Sequence, residues 1–572
     1  MGKGGCLKND GPVNTKAAIT PEDVISTTKQ RVSSSSKRLI SHELLATKCT
    51  VKECWVAYEG NVYDVTHWLS KHPGGMRSIM SAAGRDATSV MKSLHAPRTL
   101  DHYMRRVRRV GVLKPKYDFV VDDVINTDDG NKDQSNDCKR RQINALKRAK
   151  AIENDFSALN DKLLRDGWFE AKPLYYWAAI IRALGLLATG VYLVLQSQQE
   201  NGWVNNSYPW MFHAALVGGS ILIGLFFQNI AFMGHDAGHG SITGSFHLDV
   251  WIGLIIGSAL TGIDIGWWKS THYVHHSATN SIHDDPDIQH LPLLCLEERM
   301  AEGDNGSDTG RWSTYHGRLM FLDKIGKVLI PYQHFYFYPV MAVARVNLYI
   351  QSIIYVIQTC PFRSQKLSSN TRTTLSQNAN TTNPNVNNDG QKHVKEIYDW
   401  PRPSKITWLA SCASLMVFYF LMYTLLSQLS LASAIACFAV SHMMAGLLHV
   451  QIMLSHIAME YCIDGSGAVG ANAAPKDFGE VGYYEWQARS TMDIACSPKM
   501  DWFHGGLQFQ LEHHLFPRVP RWNLRKLMPL VDEIFQKYDI PVVRMGFYEG
   551  NCVMMRHIAD IGSKVVKSHK QQ

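Results

Sequence analysis

The stretch His272-Tyr273-Val274-His275-His276 carries histidines at positions i, i+3 and i+4, which puts three imidazoles on one face of a helix. Two further clusters are similar: His235-Asp236-Ala237-Gly238-His239, and Gln510-Leu511-Glu512-His513-His514, which has glutamine in the first place. Seven imidazoles at such spacing indicate a nitrogen-rich transition-metal site. One zinc ion needs only three or four of them, so the number favours two metals.

A lone histidine, His456, follows the last apolar run and is a candidate for an eighth imidazole ligand, although a single histidine there is often a helix cap. We expect the remaining candidates to be structural: His290, His316, His334, His442, His449 and His504.

Four apolar runs, 176–196, 211–233, 407–426 and 431–455, are each long enough to cross a bilayer core of about 30 Å. The connectors 197–210 and 427–430 contain no Lys or Arg, whereas the segments outside each pair are rich in both. The positive-inside bias therefore predicts lumenal connectors and cytosolic histidine clusters. The apolar runs 248–266 and 336–358 are interrupted by Asp264, and by Pro339, Arg345 and Asn347, so we expect them at the interface or packed on the bundle.

The composition describes a mixed soluble and membrane protein. Of the 572 residues, 58 are Lys or Arg and 50 are Asp or Glu, but the basic residues are spread through loops beside apolar runs. This distribution argues against nucleic acid as a partner. The 11 cysteines form no C-x-x-C pair, which is typical of a reduced protein that faces the cytosol.

A second constellation lies within residues 41–115. Strands are predicted at Trp55–Tyr58, Asn61–Val65 and Val110–Leu113, with a helix from Met76. The run His72-Pro73-Gly74-Gly75 is followed, past a helix and a turn, by His95. Two imidazoles that face each other across one haem explain this run, and two axial ligands suit one-electron transfer.

Residues 41–115 resemble the cytochrome b5 family, and the three histidine clusters resemble the boxes of the membrane fatty acid desaturase superfamily. A Gln-x-x-His-His third box with an N-terminal cytochrome b5 is similar to the front-end desaturase branch. Runs beside the boxes look most like sphingolipid Δ8 desaturases: Trp267–His272, His283–His290, Asn347–Ser352 and Phe503–Gln510.

The resemblance implies haem b on His72 and His95, and two non-haem irons. The implied iron ligands are His235, His239, His272, His275, His276, His456, His513 and His514. Gln510 stands where other branches have histidine and is the candidate catalytic residue; its amide could act through its oxygen, through a water, or by orienting a neighbour.

The expected fold is an α+β cytochrome b5-like domain followed by an all-α membrane desaturase domain with four transmembrane helices and cytosolic box helices. The expected order is a disordered tail (1–40), the haem domain (41–115), a charged linker (116–165), the desaturase domain (166–545, with a low-complexity loop at 363–396) and a C-terminal tail (546–572).

The resemblance implies an O₂-dependent enzyme in the endoplasmic reticulum membrane, with electrons from NAD(P)H through a cytochrome b5 reductase. A sphingolipid long-chain base is the favoured substrate, and a fatty acyl chain, on a lipid or on CoA, is the alternative. A lipid hydroxylase and a non-catalytic haem-binding membrane protein are weaker hypotheses. The acidic rim usual in cytochrome b5 is replaced by Lys71, Arg77, Arg85 and Lys92, which argues against the usual electrostatic docking with a reductase; an internal donor needs such docking less.

Overall fold

The computed structural model describes residues 38–115, 134–199, 209–301, 311–313, 318–362, 400, 403–462 and 481–570. Several sequence-based expectations fall outside the described residues. They are the tail before residue 38, the loop 363–396, most of the connector 197–210, and His316.

The N-terminal domain, residues 38–115, combines a five-stranded sheet with short helices. Its strands are Leu39–Ile40, Cys49–Thr50, Glu53–Tyr58, Asn61–Asp64 and Arg108–Leu113. If the strands are numbered along the chain, their order across the sheet is 1-5-4-3-2. Only strands 1 and 5 are parallel neighbours. Its helices are His42–Ala46, Thr66–Trp68, Met76–Met80, Thr88–Leu94 and Pro97–Met104. This α+β arrangement agrees with the expectation from sequence.

The helical domain, residues 134–570, is built around long apolar helices. Five are long and apolar enough to cross a membrane: Pro173–Gln198, Trp210–His239, Lys324–Gln358, Lys405–Leu426 and Leu431–Leu454. The sequence predicted four. The additional one, Lys324–Gln358, contains the run in which Pro339 and Arg345 argued against a span; Arg345 is fully buried there.

Shorter elements join and cover these helices. The other helices are Gln134–Arg165, Phe246–Ile252, Gly253–Ala259, Ile265–Ser277, Glu298–Met300, Tyr483–Ser490, Pro498–Met500, Asp501–His504, Leu507–Phe509, Gln510–Leu515, Arg521–Asn523, Leu524–Lys537 and Phe547–Lys570. Two small sheets pair Arg311–Ser313 with Arg318–Met320, antiparallel, and Met492–Ala495 with Val543–Gly546, parallel.

Two segments expected to be a linker and a tail are packed helices. Within the expected linker, Gln134–Arg165 forms a helix whose Phe156 is fully buried and stacks on Tyr484, with ring centroids 4.5 Å apart. Within the expected tail, Phe547–Lys570 buries Met554 and Ile558. Both helices are rich in charge, which obscured narrow apolar stripes at helical spacing.

Candidate functional site

His72 and His95 face each other in the N-terminal domain, with ring centroids 5.9 Å apart and ring planes tilted by 50°. The Nδ1–H of His72 donates to the carbonyl of Gly75 (3.0 Å), and the Nδ1–H of His95 donates to the carbonyl of Met91 (3.0 Å). Each ring therefore keeps the lone pair of Nε2 for a ligand. The pair fits the axial ligands of one haem.

The turn after His72 explains why this histidine is followed by glycines. Gly75 has φ of +88°, which favours glycine, and a Cβ on Gly74 would lie 2.9 Å from Cε1 of His72. Burial, the neighbouring His95 and the ammonium of Lys269 together lower the pKa of His72 to about 4. The imidazole is therefore neutral near pH 7, the form that binds iron.

The three histidine clusters meet at one place in the helical domain. The first group contains one ligand atom each from His235, His239, His272 and His513, all within 4.8 Å of one another. It combines the end of Trp210–His239, the helix Ile265–Ser277 and the helix Gln510–Leu515. All three predicted boxes are therefore represented in a single group.

The second group contains His275, His456 and His514, whose ligand atoms also lie within 4.8 Å of one another. His276 lies between the two groups: its Nε2 is 3.0 Å from Nε2 of His272, and its ring centroid is 4.3 Å from that of His514. All eight histidines that the sequence singled out are brought together.

The nitrogen atoms of this cluster fit a metal centre. Five of them are buried without a hydrogen-bond partner: Nε2 of His235, His239, His275 and His513, and Nδ1 of His276. An unsatisfied buried polar atom costs about 1–3 kcal/mol. Because burial lowers the pKa of His272, His276, His456, His513 and His514 well below the usual value, these imidazoles are neutral and have lone pairs to give.

Gln510 has its amide group inside the second histidine group. Its Nε2 lies 2.9 Å from Nε2 of His456 and 3.1 Å from Nε2 of His514, while its Oε1 is buried without a partner. A half-turn of the amide exchanges its oxygen and nitrogen. The side chain can thus present either a donor or an acceptor to whatever His456 and His514 bind.

Three acceptors outside the clusters orient the second group. The Nδ1–H of His275 donates to the carboxylate of Asp285 (2.9 Å). The Nδ1–H of His514 donates to Oε1 of Gln487 (2.9 Å), and that of His456 donates to the carbonyl of Ser490 (3.1 Å). Each bond turns the opposite Nε2 toward the group. Sequence reasoning did not assign these roles: Asp285 lies in a run noted only for family likeness, and Gln487 and Ser490 carry no local signal.

The carboxylates beside His275 also change its charge. Burial alone lowers the pKa of this imidazole, but the charges of Asp285 and Asp287 outweigh burial and raise it to about 9. Asp285 is itself held by the backbone N–H groups of Asn280 (2.7 Å) and Asp287 (2.9 Å). His275 is therefore the most basic imidazole of the second group, and a metal would bind it by displacing the proton on Nε2.

Two ion-pair networks fix the helices that carry the boxes. Asp236, within the first box, forms an ion pair with Arg521, whose Nε lies 2.9 Å from Oδ2, and accepts a hydrogen bond from the hydroxyl of Tyr176 at 2.7 Å. Near the third box, Arg544 contacts Asp493 (3.2 Å) and Glu512 (3.4 Å). Removing one partner of such a buried pair is strongly destabilising.

A cavity of about 120 Å³ adjoins the first histidine group. Its wall includes the ligand candidates His235 and His513, and the apolar side chains of Phe232, Trp268 and Leu448. The Trp268 ring also stacks on His272, with centroids 4.3 Å apart. A mostly apolar molecule in this cavity would lie directly beside the imidazoles.

The remaining histidines that the sequence left as structural are absent from both groups among the described residues. His290 donates from Nε2 to the carbonyl of Asp287 (2.8 Å), and His442 contacts the hydroxyl of Tyr349 (3.0 Å). His449 differs because it lines the cavity, with both ring nitrogens unpartnered.

The N-terminal domain is packed on the helices that bear the metal ligands. The hydroxyl groups of Ser81 and Ser277 are 2.7 Å apart, and Ser93 donates to the carbonyl of Leu515 at 2.9 Å. The basic rim takes part in this contact: the Arg77 guanidinium lies 4.6 Å from the ring centroid of Trp400. Of the four basic residues named from the sequence, Arg77 thus lies at the contact between the two domains.

Comparison with known proteins agrees with both parts of the chain. Residues 41–114 match the cytochrome b5-like heme/steroid binding domain, and residues 211–359 and 386–545 match the fatty acid desaturase family. A protein of Helianthus annuus named Delta(8)-fatty-acid desaturase is 30% identical over 520 residues, which cover 91% of this chain and 90% of that protein.

A protein of Komagataella phaffii named Delta 8-(E)-sphingolipid desaturase is 28% identical over 576 residues, covering 89% of this chain and 91% of that protein. The solved structure of the cytochrome b5 of Ostreococcus tauri virus 2 is 38% identical, covers 13% of this chain and 95% of that chain, and has a TM-score of 0.13.

The chain therefore belongs to the fatty acid desaturase family, whose match covers more than half of its length. It is a lipid desaturase, an oxidoreductase of the membrane, from the front-end branch in which a cytochrome b5 domain precedes the desaturase domain.

Proposed function

We propose that the protein introduces a Δ8 double bond into the long-chain base of a sphingolipid. The main support for a lipid-chain substrate is the mostly apolar cavity, which adjoins His235 and His513 of the first histidine group. The names of the relatives from Helianthus annuus and Komagataella phaffii support the Δ8 position, and the name of the Komagataella phaffii protein supports a sphingolipid substrate.

We propose two non-haem irons as the metals, one held by each histidine group, with His276 shared or assigned to either. Bound there, the irons would supply O₂ activation, so that O₂, two electrons, two protons and two chain hydrogens give a double bond and two waters. The chain's own residues position the reaction: Trp268 and Phe232 line the cavity, and Asp285 holds the ring of His275.

Gln510 is proposed to act on the second metal as a weak ligand, directly through Oε1 or through a water. Its amide is close enough to Nε2 of His456 and Nε2 of His514 for all three side chains to bind the same metal. An amide oxygen donates less charge than imidazole does, which would leave this metal more open to a further ligand.

Haem b is proposed as the electron carrier, held by Nε2 of His72 and Nε2 of His95. The electrons would come from NAD(P)H through a separate cytochrome b5 reductase. The packing of the haem domain on the box helices, through Ser81 and Ser93, supports transfer within one chain.

The proposed orientation places the haem domain and the histidine groups on the cytosolic face of the endoplasmic reticulum membrane, which the helical domain crosses four times. The helices Trp210–His239 and Leu431–Leu454 both end at the histidine groups, since the ring centroids of His456 and His275 are 4.6 Å apart. Two helices that end on the same face require an even number of crossings after the first of them. Lys405–Leu426 and Leu431–Leu454 supply two, so Lys324–Gln358 would not cross.

An acyl chain is the second candidate substrate, because the Helianthus annuus relative is named for a fatty acid. Expression in a yeast host that lacks Δ8 long-chain bases and polyunsaturated lipids separates the two. Analysis of long-chain bases should show a new Δ8 double bond that disappears in the His513→Ala variant.

New unsaturated fatty acids with unchanged long-chain bases would overturn the sphingolipid assignment and support the acyl one. A hydroxylated product without a double bond would instead indicate a lipid hydroxylase.

A further inference from the structure

One histidine outside both metal-ligand groups stands in the wall of the cavity. His449 is 9% exposed and belongs to the helix Leu447–Leu454. Leu448, His449 and Ile452 share one face of this helix, and all three line the cavity that adjoins the first histidine group. The imidazole of His449 therefore lies where a lipid chain would pass beside the ligand candidates.

The hydrogen bonding of this imidazole is incomplete. Both ring nitrogens are buried, and neither forms a hydrogen bond to the residues that the structure describes. The carbonyl of Met341 lies near the ring, but a carbonyl accepts only from the protonated nitrogen of a neutral imidazole. The second nitrogen is an acceptor, and leaving it unpaired costs free energy that a donor in the cavity would recover.

Other polar side chains of the wall do not supply this donor. The hydroxyl of Thr261 donates to the carbonyl of Gly257, and Asp236 is paired with Arg521. Arg521 keeps Nη2 without a partner, but a guanidinium donates and does not accept. His449 thus gives the wall an acceptor that the described part of the protein does not use.

The position of the double bond requires a polar contact of this kind. An apolar wall binds every methylene of a chain nearly equally, so it does not fix which two carbons lie beside the metals. A hydrogen bond to one carbon's substituent does fix them. A long-chain base has a hydroxyl on C3, and a 4-hydroxylated base has another on C4, about 5–6 Å along an extended chain from C8.

We propose that His449 accepts a hydrogen bond from a chain hydroxyl of the long-chain base and so sets the register of the chain at the metals. An acyl chain has a carbonyl near its polar end, and a carbonyl has no proton to donate. The same contact therefore favours a long-chain base over an acyl chain. The inference rests on the proposed long-chain-base substrate, and it adds the group that is recognised and the residue that recognises it.

The first test is the position of the double bond made by full-length variants in the yeast host. His449→Leu should lower the Δ8 product about two- to tenfold, the effect of one hydrogen bond, and should raise the share of double bonds at neighbouring carbons. Gln451→Leu is the matched control. Gln451 is on the same helix, is fully buried with both amide atoms unpartnered, and is not among the lining residues, so position and yield should stay at wild type.

The second test compares substrates within each variant and therefore does not depend on equal folding. Microsomes are supplied with N-acylated long-chain bases that have both hydroxyls, that lack the C4 hydroxyl or that lack the C3 hydroxyl. In wild type, removal of the contacted hydroxyl should slow desaturation about two- to tenfold and mix the positions. His449→Leu should treat that pair of substrates alike, and His449→Gln, which keeps an acceptor, should retain part of the preference.

Wild-type yield and position in His449→Leu would overturn the inference, because an unliganded buried imidazole is replaced by leucine without loss. The same hydroxyl preference in wild type and His449→Leu would also overturn it, as would loss of iron together with product at every position. A wild-type chain that makes unsaturated fatty acids and leaves long-chain bases unchanged would contradict the proposed substrate instead. That failure is seen without any variant, so the two are distinguishable.

Discussion

Ser81 of the haem domain and Ser277 of the second-box helix are joined by a hydrogen bond of 2.7 Å between their hydroxyl groups, and both side chains are buried. Ser277 directly follows the ligand candidate His276. The haem domain is therefore in contact with the helix that carries three metal-ligand candidates, which is the arrangement that electron transfer within one chain requires.

This contact predicts a cross-link. In the double variant Ser81→Cys with Ser277→Cys, a disulfide should form on mild oxidation, since Cβ atoms about 3.5–4.5 Å apart suit one. A protease site inserted between residues 116 and 133 would show it, because the cut chain should stay in one piece on a non-reducing gel. The single variant Ser81→Cys is the control, and separation of the oxidised double variant into two fragments would contradict the docked arrangement.

Loss of an axial ligand should remove the haem and leave the metal centre intact. We expect His72→Ala and His95→Ala in the full chain to lose the low-spin haem spectrum, because two imidazoles are needed for that spectrum. Iron that is not haem, measured by elemental analysis, should remain at the wild-type level. His67→Ala is a suitable control in the same domain, and a persisting low-spin spectrum in the His72→Ala protein would sink the haem assignment.

Substitutions of the three side chains of the third box should have different effects on iron content and activity. His513→Ala and His514→Ala remove imidazoles from the two groups and should lose both iron and activity. Gln510→Ala should keep most of its iron and lose activity, since an amide is a weak ligand beside three imidazoles. Iron content and product yield measured on the same preparations decide this.

The same position offers a sharper variant. Gln510→His should bind iron and show impaired desaturation, because a more basic ligand changes the electronics of the second metal. Full activity in Gln510→His would mean that the position is an ordinary imidazole site.

Asp285 should tune metal retention. Replacing Asp285 with Asn removes the negative charge that accepts the hydrogen bond from Nδ1 of His275. We therefore expect about 10–100-fold weaker retention of iron against a chelator. Asp287→Asn is the matched control, because its carboxylate is 33% exposed and lies 3.7 Å from the same nitrogen. Equal losses in the two variants would show a general charge effect and not a specific hydrogen bond.

Cysteine labelling tests the orientation. In sealed microsomes, an impermeant maleimide should label a Ser376→Cys variant at once, and a Ser207→Cys variant only after detergent is added, with the parent chain as the background. The two positions lie in the loop 363–396 and the connector 197–210. The reverse pattern would separate the haem domain from a cytosolic reductase.

Spacing alone was enough to predict the ligand candidates. The positions i, i+3 and i+4 of His272, His275 and His276 are a local property of one helix, so they are visible in sequence. His456 was recognisable as a histidine after an apolar run and from its resemblance to the histidine that precedes the third box in the front-end branch. Its partner Ser490 is a backbone acceptor 34 residues away, and no residue type marks a backbone carbonyl.

Long-range packing accounts for what the sequence did not reveal. Phe156 lies in a helix with many charged residues, and its burial depends on Tyr484 and Phe535, which lie far along the chain. Gln487 orients His514 only because two separate helices meet. The sequence predicted four transmembrane helices and left out Lys324–Gln358, because Arg345 interrupts a run that is apolar by composition.

The hydrogen bond from Ser93 to Leu515 holds the helical domain against the face of the haem domain beside His95, so that face is covered. A reductase that uses this face can reach it only while the haem domain is released from the helical domain. Haem carries one electron at a time, and one double bond consumes two. Each catalytic cycle would then contain two rounds of release and return, so we expect domain motion to compete with C–H cleavage as the slow step.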